Sequence, residues 1–543
     1  MNHLQATDYA VFVVYFLIVA GYGYYIYHKR KTKELDAKEY FLAEGSLTWW
    51  AIGASLIASN ISAEHFIGMS GSGFAMGLAI SSYEWMSAAT LIIVAVYIIP
   101  VYLKNRIFTM PQFLSMRYND QVSTVMAVFW LLVYVFVNLT SIIYLGALAI
   151  SSISPLSFGW CVAGLCLFSM FVTLGGMKVI GYTDVIQVVV LIIGGLVTTY
   201  LALQLLSQTY GTPGIFSALK TLVKEAPDHF HMIFGPKDKY YQELPGTSVI
   251  IGGMLVNNLA YWGCNQYIVQ RALGADLPTA RKGILFAAFL KLMVPLIAVL
   301  PGIIMYVLYH KGLFINEMHA GGALRSDNAY PTLINLLPTG LKGVAFAALT
   351  AAIVASLAGK ANSICTIFSL DIYRKFIDKN ASERKLVRVG RLAVVVSLAI
   401  GAIVAPSLRS LDQAYQFIQE YVGFVSPGVL AIFLLGFFWK RTTSAAAMAG
   451  ALITIPLSTV LKFLPKWTNG SFPVFPFLDR MAIDFVVIVA VMVVMSLIST
   501  SSDPSATEEK IVVDTSMFKV HRSFQVGAVI IIGILAALYT VFW

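Results

Sequence analysis

Charge is what this chain has least of. Of its 543 residues only 12% are charged, about half the share of an ordinary soluble domain. Hydrophobic residues make up 58%, against roughly 45–50% in soluble proteins. That balance excludes a water-soluble globule and makes a lipid bilayer the solvent. Cysteine is scarce as well. The four, Cys161, Cys166, Cys264 and Cys365, all fall in apolar segments, which excludes a disulfide framework or a zinc site and leaves them as small core residues. The opening "MNHLQATDYA" has no Lys or Arg, so it lacks the basic region of a cleaved secretory signal and is expected to be retained. No phosphate-binding loop, nucleophile elbow, His-Glu-x-x-His run or dinucleotide fingerprint occurs. The chain is therefore expected to be neither ATP-driven nor an enzyme, and to need no organic cofactor.

What it has is apolar runs. Stretches long enough to span a bilayer, about 20 residues each, fall near 8–28, 47–71, 77–103, 121–152, 156–175, 179–207 and 247–271. Seven more fall near 282–310, 340–376, 385–405, 411–439, 442–463, 481–500 and 520–541, giving an all-α polytopic membrane protein of about 14 helices. With "HKRKTKELDAKE" after the first run placed inside, the inner connections carry 24 Lys and Arg and the outer ones 11, while Lys291 and Lys360 lie within spans. The positive-inside rule then puts both termini outside. Topology accounts for the net charge of +10, and no nucleic-acid partner is required. The longest outer segments are 208–246 and 311–339. The first holds His229 and His231 in "DHFH", expected as solvated residues rather than metal ligands. "SSDPSATEEK" at 501–510 reads as a polar inner linker.

Two runs are interrupted. "LIASNISAEHFIGMSGSGF" places Asn60, Ser62, Glu64 and His65 near the middle of the second span, followed by Gly68, Gly71 and Gly73. Polar groups at that depth are costly and point to function, and non-helical backbone survives there only around a cavity or inside protein. The seventh run, "IIGGMLVNNLAYWGCNQYIVQR", carries Gly252, Gly253, Asn257, Asn258, Tyr261, Trp262 and Gly263. The two are offset by five spans, an odd number, so the second copy is inverted, and paired broken helices in oppositely oriented halves mark a transporter with its site at mid-membrane. Glu84, Lys291, Gln419 and Glu420 lie at compatible depths. Donors, acceptors and aromatic faces together suit a neutral polyhydroxylated ligand. Backbone carbonyls near Ala58 and Ile61, with the Ser356 hydroxyl, offer hard oxygens to a cation. Asp184 lies near the inner face, where it could guide a leaving cation or simply complement a helix N-terminus.

The stretches "ASLIASNISAEHFIGMSGSG", "YEWMSA", "VNLTS", "TDVIQV", "YWGCNQYIVQR", "KGILFAAFLKLMVP", "FIQEY" and "GFFWKRTTS" resemble the sodium/solute symporter family over nearly the whole chain. The resemblance implies a LeuT-like five-plus-five inverted repeat. An N-terminal extra helix and loop would occupy 1–46, the repeats 47–207 and 247–439, and three extra helices 440–543. It implies that Asn60, His65, Glu84, Ser87, Asn258, Lys291 and Gln419 contact a sugar. Tyr261 would be an inner gate that stacks on the sugar and bonds Asn60, with Trp262 beside it. Met69, Tyr83 and Tyr415 would form an outer gate. Ala58, Ile61, Ala352 and Ser356 would hold sodium, with Asp184 on its exit path.

Three positions depart from the family's sugar carriers. His65 stands where bacterial members have Gln and matches animal members, which leaves the preferred sugar open. Ala355 replaces one of two adjacent serines and removes a hydroxyl from the sodium site. Lys360, about one turn further in, is expected to snorkel to the inner face. The resulting expectation is a sodium/sugar symporter of the galactose or glucose kind in a bacterial inner membrane, working as a monomer or weak homodimer. A same-fold symporter of a polyol, organic acid or amino acid is the alternative.

Overall fold

The computed structural model describes residues 4–28, 47–175, 177–319, 322–410, 414–499 and 511–543. Residues 29–39 of the basic run and the linker 501–510 lie outside these segments. Among the described residues the chain is helical throughout, with no strand. Eleven helices are long and apolar enough to cross a bilayer. The difference from fourteen has a local cause. The second and third runs continue as one helical path, Glu64–Lys104. The fifth is the 16-residue helix Phe158–Thr173, and the seventh is split into pieces of 12 and 7 residues.

The elements that build the centre are α1 (Ala6–His28), α2 (Trp49–Asn60), α3 (Ser70–Met76), α4 (Ser82–Ile93), α5 (Thr140–Ile153) and α6 (Met177–Tyr210). They continue with α7 (Gly253–Cys264), α8 (Gln266–Ala272), α9 (Leu277–His310), α10 (Leu341–Ile367) and α11 (Ala414–Val422). The helices Ser426–Phe438, Ser444–Trp467, Phe477–Ile498 and Arg522–Val541 follow. α2 packs against α6, α9 and α10, and α9 also packs against α3 and α4. α1 is fastened from outside: Asp8 Oδ1 accepts from the Gly340 and Gly343 amides at 2.7 and 2.9 Å, so its carboxylate lies at the N-terminus of α10. Helices approach closely at Gly302 of α9. A Cβ there would sit 1.9 Å from the Ser70 carbonyl oxygen, so only glycine lets α9 lie this close to the first broken helix.

Both breaks are real, and each has a mechanism. α2 stops because Ile61 turns to extended backbone, φ −70° and ψ 125°. Its amide makes the last helical bond, to Ile57 O at 2.8 Å. The helix resumes through a π-helical turn, Glu64–Met69. Ser62 caps that start, because its hydroxyl accepts from the Glu64 amide at 3.2 Å. The second break falls at Asn265, extended at φ −104° and ψ 123°, beyond the glycines and asparagines that signal it in sequence. Asn257, Asn258, Tyr261 and Trp262 all lie within the intact helix α7. The break is held from another element: the Tyr134 hydroxyl donates to Asn265 Oδ1 and accepts from the Gln266 amide.

Candidate functional site

A cavity lies between the broken helices, lined by Asn60, His65, Tyr83, Glu84, Ser87, Asn258, Tyr261, Tyr415 and Gln419 among others. Nine of the residues singled out in the sequence therefore meet at one place. Glu64, Asn138, Asn257, Asn265, Tyr267 and Lys360 extend its polar lining.

Glu84, Lys291 and His65 form one bonded charge cluster at this site. Lys291 Nζ, fully buried, donates to Glu84 Oε2 at 2.5 Å and also to Asn60 Oδ1. The other carboxylate oxygen, Glu84 Oε1, lies 3.3 Å from His65 Nε2. His65 is doubly engaged. Its Nδ1 accepts from the Ser62 amide at 3.3 Å, the role a Glu or Gln plays in a capping box. An accepting Nδ1 puts the imidazole proton on Nε2, pointing at Glu84. His65 thus fixes the entry of the outer half-helix and orients the carboxylate as well as lining the cavity.

The uncharged members form a second chain of bonds. Asn60 Nδ2 donates to the Tyr261 hydroxyl at 2.9 Å, as the family resemblance implies. The Ser87 hydroxyl lies 2.8 Å from Asn258 Oδ1. Asn257 Nδ2 reaches Gln419 Oε1 at 3.5 Å. The Asn258 amide nitrogen is buried without a hydrogen-bond partner. In a buried polar site such an orphan donor carries a desolvation cost that a ligand acceptor would remove.

Tyr83 and Tyr415 close the cavity with rings edge-on at 5.4 Å. Gly68 brings Tyr415 against the broken helix, since a Cβ there would lie 2.6 Å from Tyr415 Cβ. Met69 is fully buried and is not among the lining residues. Trp262 departs from expectation too. It sits behind the cavity with its ring 5.2 Å from Lys291 Nζ, supporting the ammonium by cation–π attraction. Glu420 is not at the site. It pairs with Arg480 and, at 3.1 Å, with Lys462.

α2 and α10 also meet. Ala58, Ile61, Ala352 and Ser356 are all buried. The Ser356 hydroxyl donates to Ser59 O at 3.1 Å, tying α10 to the freed end of α2. Asp184 does not complement a helix N-terminus: α6 starts at Met177, two turns earlier. Its carboxylate accepts from the Ser55 hydroxyl at 2.5 Å and faces Arg271 at 3.8 Å, both side chains fully buried. Arg271 also donates to Ser55 O and Tyr267 O, at 3.2 and 2.5 Å. Sequence reasoning missed Arg271, although it ends the quoted "YIVQR" and is an unusual charge for a helix in a membrane core. Lys360 does not snorkel. It is buried and its Nζ donates to the Ser356 hydroxyl at 2.8 Å.

His229 is packed rather than solvated. It stacks on Tyr306 at 3.8 Å, and its Nε2 lies 3.1 Å from Phe74 O. Among the described residues no cluster of His, Cys, Asp and Glu suited to a metal occurs.

Residues 40–454 match the model of the sodium:solute symporter family. The chain belongs to that family. It is 47% identical over 549 residues to a sodium/glucose cotransporter of Vibrio parahaemolyticus, covering 99% of each chain. It is 32% identical over 477 residues to sodium/myo-inositol cotransporter 2 of Mus musculus, covering 84% of this chain and 70% of the relative. A solved structure of a Na+-coupled sialic acid symporter, substrate-bound and outward-open, superposes with a TM-score of 0.78 at 21% identity, covering 91% of this chain and 98% of that one. That likeness establishes the shared fold. The family is one of transporters, and this symporter is not an enzyme.

Proposed function

We propose that this symporter couples sodium entry to uptake of a neutral sugar of the glucose or galactose kind by alternating access, in a bacterial inner membrane with both termini outside. The observation that carries the reading is the charge balance of the cavity. Glu84 is matched by Lys291, and Glu64 by Lys360 across the cavity, so neither an anion nor a cation is favoured, while Asn60, Ser87, Asn258, Gln419 and the orphan Asn258 amide present hydroxyl-matching groups. The name of the 47% identical relative supports it. The myo-inositol relatives favour a cyclic polyol as the second reading, because inositol and a hexose present the same ring of hydroxyls.

In this reading Asn60, His65, Glu84, Ser87, Asn258, Lys291 and Gln419 bind or orient the sugar, and Trp262 holds Lys291 in place. Tyr261 is the inner gate, latched by Asn60. Tyr83 and Tyr415, backed by Met69, are the outer one. The carbonyls of Ala58, Ile61 and Ala352 with the Ser356 hydroxyl receive sodium where α2 ends, since terminal carbonyls of a helix lack partners of their own. Asp184, held by Ser55 and Arg271, lies along the exit. The halves that rock are 47–207 and 247–439. One charge crossing 100 mV supplies about 2.3 kcal/mol and a tenfold sodium gradient about 1.4 kcal/mol. Together these support roughly 500-fold accumulation at one sodium per sugar.

Proteoliposomes test the reading. Labelled galactose, glucose and myo-inositol are offered under inward sodium, lithium, potassium or proton gradients. Sodium-driven accumulation of one of the sugars is expected. If no cation gradient drives accumulation, the coupled-symport reading fails.

A further inference from the structure

We infer that Lys360 is a tethered cation that competes with sodium for the Ser356 hydroxyl, so that sodium must displace the lysine to bind and the lysine promotes sodium release. The inference rests on the symport reading and adds a residue that sets its cation affinity.

A lysine inside a membrane span is costly and needs a reason. Lys360 sits one helical turn from Ser356 on α10, and its side chain runs back along the helix to place Nζ 2.8 Å from the Ser356 hydroxyl oxygen. The same hydroxyl donates to Ser59 O at 3.1 Å. The ammonium therefore holds the one side-chain oxygen assigned to sodium, beside the freed carbonyls of α2. Ala355, which carries no hydroxyl, offers nothing to replace it. A hard cation sits about 2.3–2.6 Å from its oxygen ligands, by analogy with calcium. Sodium and Nζ sharing Ser356 would thus lie within about 5 Å of each other, two positive charges in a buried site.

The conflict is softened only at a distance, by the Glu64 carboxylate across the cavity. Among the described residues Lys360 makes no ion pair. The carboxylate of Asp184 faces Arg271 and Ser55. Glu64, which lines the same cavity, accepts from Ser141 at 2.7 Å and Ser62 at 3.2 Å. There is a second seat for the displaced ammonium. Nζ already lies 4.6 Å from the Tyr267 ring centroid, and both residues line the cavity. A swing of the flexible stem off Ser356 keeps the cation over an aromatic face. When the inner side opens and sodium leaves, the lysine returns to Ser356 and hinders rebinding.

The test measures sodium binding directly, with radiolabelled sodium on the purified full-length carrier, and sodium dependence of sugar uptake in proteoliposomes. Lys360→Met is expected to lower the half-saturating sodium concentration about tenfold in both assays. An unchanged or raised value would overturn the inference. A cysteine variant separates charge from shape. In Lys360→Cys, attachment of an aminoethyl disulfide reagent restores a positive charge and is expected to return sodium affinity to the parent value. A neutral methyl disulfide reagent is expected to leave it high. Equal effects of the two reagents would sink the idea, and the unmutated chain treated alike controls for Cys264, which also lines the cavity. If sodium drives sugar uptake but the variants and parent share one half-saturation, only the Lys360 assignment falls. If no variant or parent shows sodium-driven uptake, the symport reading falls instead.

Discussion

Lys291 and Lys360 are both buried well inside membrane-spanning helices, and they are placed in opposite ways. Lys291 is surrounded by partners: a carboxylate, an amide oxygen and an indole face. Lys360 has a hydroxyl and a phenol ring and, among the described residues, no contact ion pair. The first cluster is electrically closed and suits a neutral ligand that exchanges hydrogen bonds. In the second, the carboxylate of Asp184 serves Arg271 and that of Glu64 acts only across the cavity, so Lys360 stands as positive charge without a contacting carboxylate at the place where a mobile cation is to bind. A paired buried charge defines a site, whereas an unpaired one signals competition for it.

The contrast predicts unequal responses to removing the ammonium. Lys291→Met leaves Glu84 buried without its counter-ion, which typically costs about 3–5 kcal/mol, so the thermal midpoint in detergent should fall sharply and sugar binding should vanish. Lys360→Met removes a charge that makes no contact ion pair, with Glu64 acting only across the cavity, so its midpoint should fall far less or hold. Calorimetry or a fluorescence melt on the two proteins decides it. Similar losses in both would end the comparison.

A smaller effect is expected at the inner gate. Tyr261→Phe keeps the ring and deletes the bond from Asn60, worth about 1 kcal/mol. Sugar KM should rise about fivefold, while sodium half-saturation in a binding assay stays the same. A matching change in sodium affinity would show that the two clusters are not separable through Asn60.

How much of this was legible beforehand follows helix geometry closely. The break near Asn60 was readable because its causes are local: Ser62 supplies the cap and His65 completes it three residues on. The break at Asn265 falls inside the run 250–271, but its residue is not readable there because its anchor, Tyr134, is 131 residues away. Trp262 and Glu420 were placed at the cavity because Tyr261 and Gln419 are. Neighbours on a helix diverge by about 100°, however, so Trp262 turns behind to Lys291 and Glu420 turns out to Arg480. The direction of Lys360 was misread for a related reason. In the topology set by the basic loops α10 runs inward, and long side chains on a helix lean back toward its N-terminus. That takes the ammonium toward mid-membrane and Ser356, away from the inner face. Arg271 and the Asp184 pairing needed the fold, since α6 and α8 are far apart in sequence.

The gentlest expected change is His65→Gln. Its imidazole accepts from the Ser62 amide and donates toward Glu84. Glutamine can reproduce both links through its carbonyl and amino groups, and a Gln at this position of a capping box is favourable. The half-helix should therefore keep its start, and Glu84 should keep both Lys291 and a neutral donor. What changes is the planar ring beside Tyr415, 6.4 Å away between centroids, and with it the shape offered to one face of the sugar. A shift of about threefold in the ratio of galactose to glucose KM is expected, near 0.7 kcal/mol, with sodium half-saturation unaltered. Loss of uptake would mean that the imidazole does more than hold the carboxylate, since the hydrogen bonds alone are replaceable. A change in sodium dependence would instead join the neutral cluster to the cation site through Ser62, and the division drawn between the two lysines would fail with it.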